Sequence, residues 1–387
     1  FYSFSVLFNF KINPMIPRQL ILLMLIPMSV SAQQVLFEAP QGLEEYRLTL
    51  GTQIHRTASV SLGDIDGDGD LDIITANGRH WPEENMVFLN LRGIFRIAYP
   101  FGDERSTSYA CELADLDGDG DLDIAEGNDM APSKIYLNDG KGKFSFHGYF
   151  GAISPTRNLK ITDIDLDGDM DILVANRGSA NLVCYNDGKG NFPRSEPLGE
   201  STSTIDIEVA DLNRDQFPDV ILANRDDQPN QILINNRKGG FESPVFFGGA
   251  VDSRSVAVAD FDKDGFPDIA MGNLNAENLV YFGDDRLDFS RTVAFGKKGE
   301  MAFAVAVEDF NRDGSPDIIC GNNGDPLTLY LNTGDGHFER QSVGREGYKT
   351  YDIVAGDING DGLPDIILAN SHELSFYIRN RYKSGKE

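Results

Sequence analysis

From residue 45 onward the chain alternates short apolar runs with polar, glycine-rich stretches. None of the runs carries the three-to-four-residue spacing of an amphipathic helix. Residues 108–150 display the unit. The pattern predicts a first strand over 108–114, a polar stretch over 115–123, a second strand over 122–127 and a third over 134–138. Asn138-Asp139-Gly140-Lys141-Gly142-Lys143 then reads as a hairpin turn into a fourth strand over 144–150. The turn recurs as Asn186-Asp187-Gly188 and Asn332-Thr333-Gly334.

The polar stretch recurs as well. Copies begin at Asp64, Asp115, Asp163, Asp211, Asp260, Asp309 and Asp357, spaced 51, 48, 48, 49, 49 and 48 residues apart. A period near 49 marks a repeat protein. Four short strands per repeat predict an all-β fold, a seven-bladed β-propeller of four-stranded blades. A parallel β-helix uses much shorter repeats. After the seventh polar stretch two strands follow, 363–369 and 374–380, with no fourth. Before the first stands an orphan run, Tyr46-Arg47-Leu48-Thr49-Leu50-Gly51, similar to Phe146-His147-Gly148-Tyr149-Phe150-Gly151. The N-terminal strand over 45–51 is expected to close the last blade and remove two open sheet edges.

Each polar stretch reads D-x-[D/N]-x-D-x-x-x-D. Carboxylates packed this densely repel one another unless a cation joins them. Hard oxygens at alternating positions suit Ca²⁺, which takes about 6–8 oxygen ligands. Positions 1, 3 and 5 turn side-chain oxygens inward, glycine at position 6 permits the sharp bend, position 7 offers its carbonyl, and position 9 closes the site. An EF-hand is excluded: position 12 of the first loop is Thr75 rather than glutamate, and strand-like sequence flanks the loop.

Seven such loops between short strands resemble the FG-GAP/VCBS repeat of the integrin α-chain propeller. The resemblance covers residues 45–380. It implies calcium between the first and second strands of each blade, up to seven ions in all. The ligands it implies are Asp64, Asp66, Asp68 and Asp72; Asp115, Asp117, Asp119 and Asp123; Asp163, Asp165, Asp167 and Asp171; and Asp211, Asn213, Asp215 and Asp219. The last three loops add Asp260, Asp262, Asp264 and Asp268; Asp309, Asn311, Asp313 and Asp317; and Asp357, Asn359, Asp361 and Asp365. The fourth loop departs from the pattern, with Gln216 where glycine is expected, and should bind worst.

Charge supports this reading. The chain carries 61 acids against 34 bases, and the seven loops alone hold 28 acids and three bases. The acidity therefore belongs to the loops. No basic stripe accompanies it, so a nucleic-acid partner is not expected. Met15, Arg18, the apolar run 20–27 and Val30-Ser31-Ala32 read as a secretory signal peptide ending at residue 32, with 1–14 upstream of its start. A short linker, 33–44, the propeller, 45–380, and a tail, 381–387, follow. The expectation is a secreted, periplasmic or cell-surface monomer with no transmembrane segment in the mature chain. Cys111, Cys184 and Cys320 lie in different repeats and apolar contexts and are expected to be buried free thiols.

No histidine constellation or nucleophile motif appears. Three positions before the loops, Glu112, Lys160 and Glu208 are read as lining a wetted axial channel. Six positions before them stand Ala58, Tyr109, Arg157, Ile205, Arg254, Phe303 and Tyr351. Arg56, Arg79, Trp81, Arg177 and Arg225 come from adjoining loops. Aromatic rings stack on sugars and arginine forks pair with carboxylate or sulfate. Tyr109, Arg157, Arg254, Phe303, Tyr351, Trp81 and Arg56 are the expected ligand-binding residues, on the face opposite the acid loops. These features point to a binding or adhesion module for a glycan or extracellular protein. The alternative, from propellers with similar repeats, is a polysaccharide lyase or sugar dehydratase.

Overall fold

The computed structural model describes residues 36–40, 48–102, 104–297, 299–334, 336–344 and 347–382. The expected signal peptide lies outside them. Among the described residues the regular structure is β-strand, with no α-helix. The chain is an all-β propeller.

The second repeat folds as Ser108–Ala114, Asp123–Asn128, Ser133–Leu137 and Ser145–Phe150, within two residues of each expected boundary. These strands form one antiparallel four-stranded sheet in chain order. The fifth and sixth repeats do the same, as Ser253–Ala259 to Thr292–Phe295 and Ala302–Glu308 to Phe338–Val343. The third and fourth repeats depart from separate four-stranded units. The second and third strands of repeat three run on as Asp171–Tyr185, and its fourth continues into repeat four as Arg194–Ala210, giving one six-stranded sheet. The connections at 177–180 and 201–203 are themselves paired, so no loop interrupts the ladder.

The second strands explain the core. They read DIITAN, DIAEGN, DILVAN, DVILAN, DIAMGN, DIICGN and DIILAN, and are buried throughout. Strand side chains alternate between faces, so each sheet presents apolar residues to both neighbours. Ile73 packs with Val60, Ile358 and Tyr377, whereas Ile74 packs with Cys111, Ile124 and Tyr136. Apolar clusters of this kind join each repeat to the next and the seventh to the first. The three cysteines are buried within these clusters and unbridged, as expected.

Polar links reinforce the apolar ones. Asn138 in repeat two donates its amide to the Ile65 carbonyl of loop one at 2.8 Å. Asn186, Asn235, Asn332 and Asn380 make the same bond to the preceding loop, and Asn90 reaches Ile358 of loop seven at 2.7 Å. Gly283 stands at the corresponding place in repeat five and lacks the amide. At the N-terminus, Phe37–Glu38 pairs with Asn380 and Arg379, Thr49 bridges Phe376, and the Leu50 amide donates to the Ser375 carbonyl at 2.8 Å. The strand beside Phe376–Asn380 is thus Phe37–Glu38, inside the stretch read as a linker, and not the one expected over 45–51, whose described residues 48–51 form no strand.

Replacing Asn138 with alanine removes two amide bonds and leaves the Ile65 and Leu122 carbonyls short of a donor. The expected cost is about 1–3 kcal/mol, read from the urea midpoint. A change within the scatter of surface substitutions would contradict this role.

Candidate metal loops and channel mouth

The acid loops share one backbone geometry. Position 6 is left-handed in every loop, with φ from 72° at Gln216 to 101° at Gly168. Position 4 is left-handed too, including the non-glycine residues Leu166, Arg214, Lys263 and Arg312. That second bend was missed in the sequence because glycine marks it in three loops alone. The position-6 amide donates to the position-1 carboxylate in all seven loops, at 3.0 Å from Gly69 to Asp64 and 2.8 Å from Gln216 to Asp211. The curl therefore turns carboxylates toward a common centre.

Position 9 is the most buried group of each loop, with 0–1% exposure. Asp72 accepts the Ile65 amide at 2.9 Å on one oxygen and the Asn90 amide at 2.7 Å on the other. The carboxylate fastens the loop to the third strand, and Asp123, Asp171, Asp219, Asp268 and Asp317 repeat both bonds. Burial raises the pKa of Asp72, Asp123 and Asp219 to about 6 and of Asp171, Asp268, Asp317 and Asp365 to about 7, against the bonds that lower it.

Carboxylate oxygens of Asp64, Asp66 and Asp72 lie within 4.8 Å of one another, as do those of the corresponding triads in loops two, three and five. These triads could hold a metal ion. Loops four, six and seven carry asparagine at position 3, an oxygen donor of lower charge. Asp64 Oδ1 is buried and has no hydrogen-bond partner, which leaves it free to ligate a cation together with Asp66 and Asp72. The fourth loop has its own cation: Arg237 pairs with Asp215 at 2.7 Å. In loop five Arg291 contacts Asp262. Neither pairing is visible in the loop motif, because both arginines come from a distant hairpin.

The other feature is axial. The first strands of all seven repeats line one cavity of about 370 Å³. Ser61, Glu112, Lys160, Glu208 and Val354 face it, in keeping with the channel reading. Lys160 pairs with Glu208 at 2.6 Å. Burial would lower the lysine, but Glu208, Glu112 and Asp206 together outweigh it and raise its pKa. Burial lifts Glu112 to about 8.

Each first strand also carries a bulge, and the extra residue is always the one six positions before the loop. Ser108 faces Asn128 and Ala110 faces Gly127, leaving Tyr109 unpaired; Arg157, Arg254, Phe303 and Tyr351 are displaced in the same way. A bulge re-aims a side chain, and here it makes a belt. Arg157 lies over Tyr109 at 4.4 Å, Arg79 over Tyr351 at 4.0 Å, Arg254 over Phe303 at 5.5 Å, and Phe303 meets Tyr351 edge-on at 5.2 Å. Five of the expected ligand-binding residues thus come together. Trp81 is 64% exposed with no described ring contact, and Arg56 is occupied by Glu83 at 2.7 Å. Arg79 was named in the sequence as a neighbour and proves to be a member of the belt.

A propeller with seven acid loops, a polar axial cavity and a cation–aromatic belt defines a class of acid-loop repeat scaffold. FG-GAP-like repeats match at residues 64–126, 163–222, 211–271 and 309–368, over half of the chain. The chain belongs to the FG-GAP-like repeat family. No curated protein matches it. Among solved structures it resembles an Agrocybe aegerita lectin that recognises non-reducing terminal N-acetylglucosamine, with 18% identity, a TM-score of 0.58, and coverage of 80% of this chain and 88% of the lectin. It also resembles BBS1N, solved in complex with ARL6DN, at 12% identity and TM-score 0.59 over 88% and 98% of the two chains. Chaetomium thermophilum Raptor matches at 10% identity and TM-score 0.55, over 86% of this chain and 29% of Raptor. At these identities the likeness concerns the fold.

With divalent ions removed, the position-9 aspartates make stability depend on pH. Their folded pKa values stand above the ordinary 3.8, at about 6 to 7. The folded state therefore binds their protons more tightly, and this contribution is complete below pH 4 and lost as pH rises through 6 to 7. Chelated protein should gain denaturant resistance on acidification from pH 8 to pH 5. A steady loss over that interval would count against the burial argument.

Proposed function

We propose that this protein is a secreted, calcium-stabilised seven-bladed propeller that acts as a binding module for a glycan or an extracellular protein. The observation that carries it is the bulge-built belt at one end of the axial cavity. It gathers guanidinium and aromatic surfaces from six repeats, which strand stability does not require. Concave sites with converging polar groups are the usual place for a ligand. The ring is seven blades, the last completed from the N-terminal side; the apolar cluster and the Asn90–Ile358 bond between last and first repeats support this.

Calcium is the ion the loops suit. All-oxygen donor sets of high charge favour it over softer ions. Aspartate or asparagine at positions 1, 3, 5 and 9 would hold it, and its charge would offset repulsion between the carboxylates. The fourth loop is the exception: Gln216 and the bound Arg237 make it a calcium-free clasp.

Two measurements test this reading. Ions bound to the folded state alone stabilise it by linkage. Melting in calcium should therefore occur well above melting in chelator, and equal midpoints would exclude structural calcium. Separately, the calcium-loaded protein should bind saturably on a combined panel of glycans and extracellular proteins. Tyr351→Ala should reduce that binding by about tenfold or more, as loss of a stacking anchor does, with the melting temperature held. No binding anywhere on the panel would contradict the module reading.

A further inference from the structure

The arginines around the cavity mouth fall into two groups. Arg56, Arg157 and Arg177 are each committed to a carboxylate, Glu83, Asp129 and Asp226, at 2.7, 2.7 and 2.8 Å. Arg79, Arg225 and Arg254 are not. Among the described residues the Arg254 guanidinium has no hydrogen-bond or ion-pair partner. Arg79 donates from Nη1 to Ser371 Oγ at 3.2 Å, while its Nε is buried without a partner. Arg225 Nε is likewise buried and unbonded, with Asp252 no nearer than 4.0 Å.

Arg79 and Arg254 converge. Both stack on Tyr351, at 4.0 and 5.8 Å from its centre. Burial lowers the Arg254 pKa, and the charges of Arg225 and Arg79 add to that, with Asp206 opposing. The acids facing Arg254 are occupied. Asp206 accepts the Val256 and Ile207 amides at 2.9 and 3.0 Å, and Asp352 accepts those of Val60 and Ile353 at 3.0 and 2.9 Å. Two half-buried guanidiniums thus stand together with N–H groups unused. Leaving such donors unmade costs more than an average hydrogen bond contributes, and a planar oxyanion would satisfy them in pairs.

The cavity beneath narrows the choice of anion. Glu112, Asp206, Glu208 and Asp352 face it, with Ser59 and Ser255. Lys160 faces it too but is taken up by Glu208 at 2.6 Å, and Glu112, lifted to about 8, is uncharged at neutral pH. These acids accept hydrogen bonds, and those that stay charged disfavour further negative charge. A peptide with several carboxylates is therefore disfavoured. A ligand with one anionic group and several hydroxyl donors complements both levels.

We propose that Arg79 and Arg254 form an anion seat that takes the carboxylate of an acidic sugar, whose hydroxyls reach the cavity carboxylates. The proposal rests on the binding-module reading and specifies its ligand class.

Calorimetry on the full, calcium-loaded chain tests it, with five probes: sodium galacturonate, its methyl ester, the neutral sugar galactose, sodium sulfate and triglutamate. Galacturonate should bind, and its ester and the neutral sugar should bind about tenfold more weakly or not at all. Arg254→Ala and Arg79→Ala should each cost about tenfold or more, the scale of a lost charge-assisted bond, with melting temperature and calcium content unchanged. Arg254→Lys, which keeps the charge but not the fork, should recover part of the affinity. Equal binding of the ester or the neutral sugar would overturn the anion seat while leaving a glycan-binding module in place. Binding of triglutamate or sulfate at least as tight as galacturonate would overturn the sugar assignment. Failure of every probe would overturn the proposal, and the panel binding described above would still decide the module reading on its own.

Discussion

The fold turns on a buried carboxylate. In each loop the aspartate at position 9 is out of water, fastened by backbone amides, and set beside other carboxylates of the same loop. Hydrogen bonds to a charged acceptor fix the loop to the third strand, but burying the charge is costly. Like charges a few ångströms away raise that cost. A divalent cation would resolve the conflict, as an arginine does locally in the fourth loop. Strand register, blade spacing and the links to the preceding loop all pass through this point.

The inner strands pose the complementary problem. Each pairs with its own second strand, which leaves its other edge short of partners. Side chains five positions before the loop supply them across the repeat boundary. Ser59 accepts the Cys111 amide, Asp206 that of Val256, Ser255 that of Val305 and Asp352 that of Val60. The polar character of the cavity thus has a structural origin as well as a possible use by ligands. The bulge one residue earlier turns the next side chain toward the mouth. The two ends of the cavity therefore divide the labour: acid loops hold the fold at one, and arginines and rings are displayed at the other.

Much of this was legible in the sequence, because both the repeat and the strand period are local. The strands of repeat two fall where apolar runs and the Asn-Asp-Gly turn place them. The belt residues were found by their fixed distance from the loop, although the bulge that displays them is a register property that no single strand reveals. The continuous ladder of repeats three and four depends on pairing between loops and was invisible for the same reason. One signal was present and unread. An asparagine ends every second strand, from Asn77 to Asn370, and is buried. In six repeats a serine or threonine of the first strand faces it, as Thr57 donates to Asn77 at 2.8 Å. The ion pairs of Arg157, Arg177 and Arg237 could not be read at all, since their partners lie in other repeats or hairpins.

The central claim is that cations complete the loops, and metal counting by native mass spectrometry tests it most directly. Protein exchanged into calcium and then into volatile buffer should carry one ion for each loop outside the fourth. Asp68→Ala should remove one ion, whereas Arg237→Ala should add one by vacating Asp215. A chain that carries no calcium, or a count untouched by Asp68→Ala, would contradict the account.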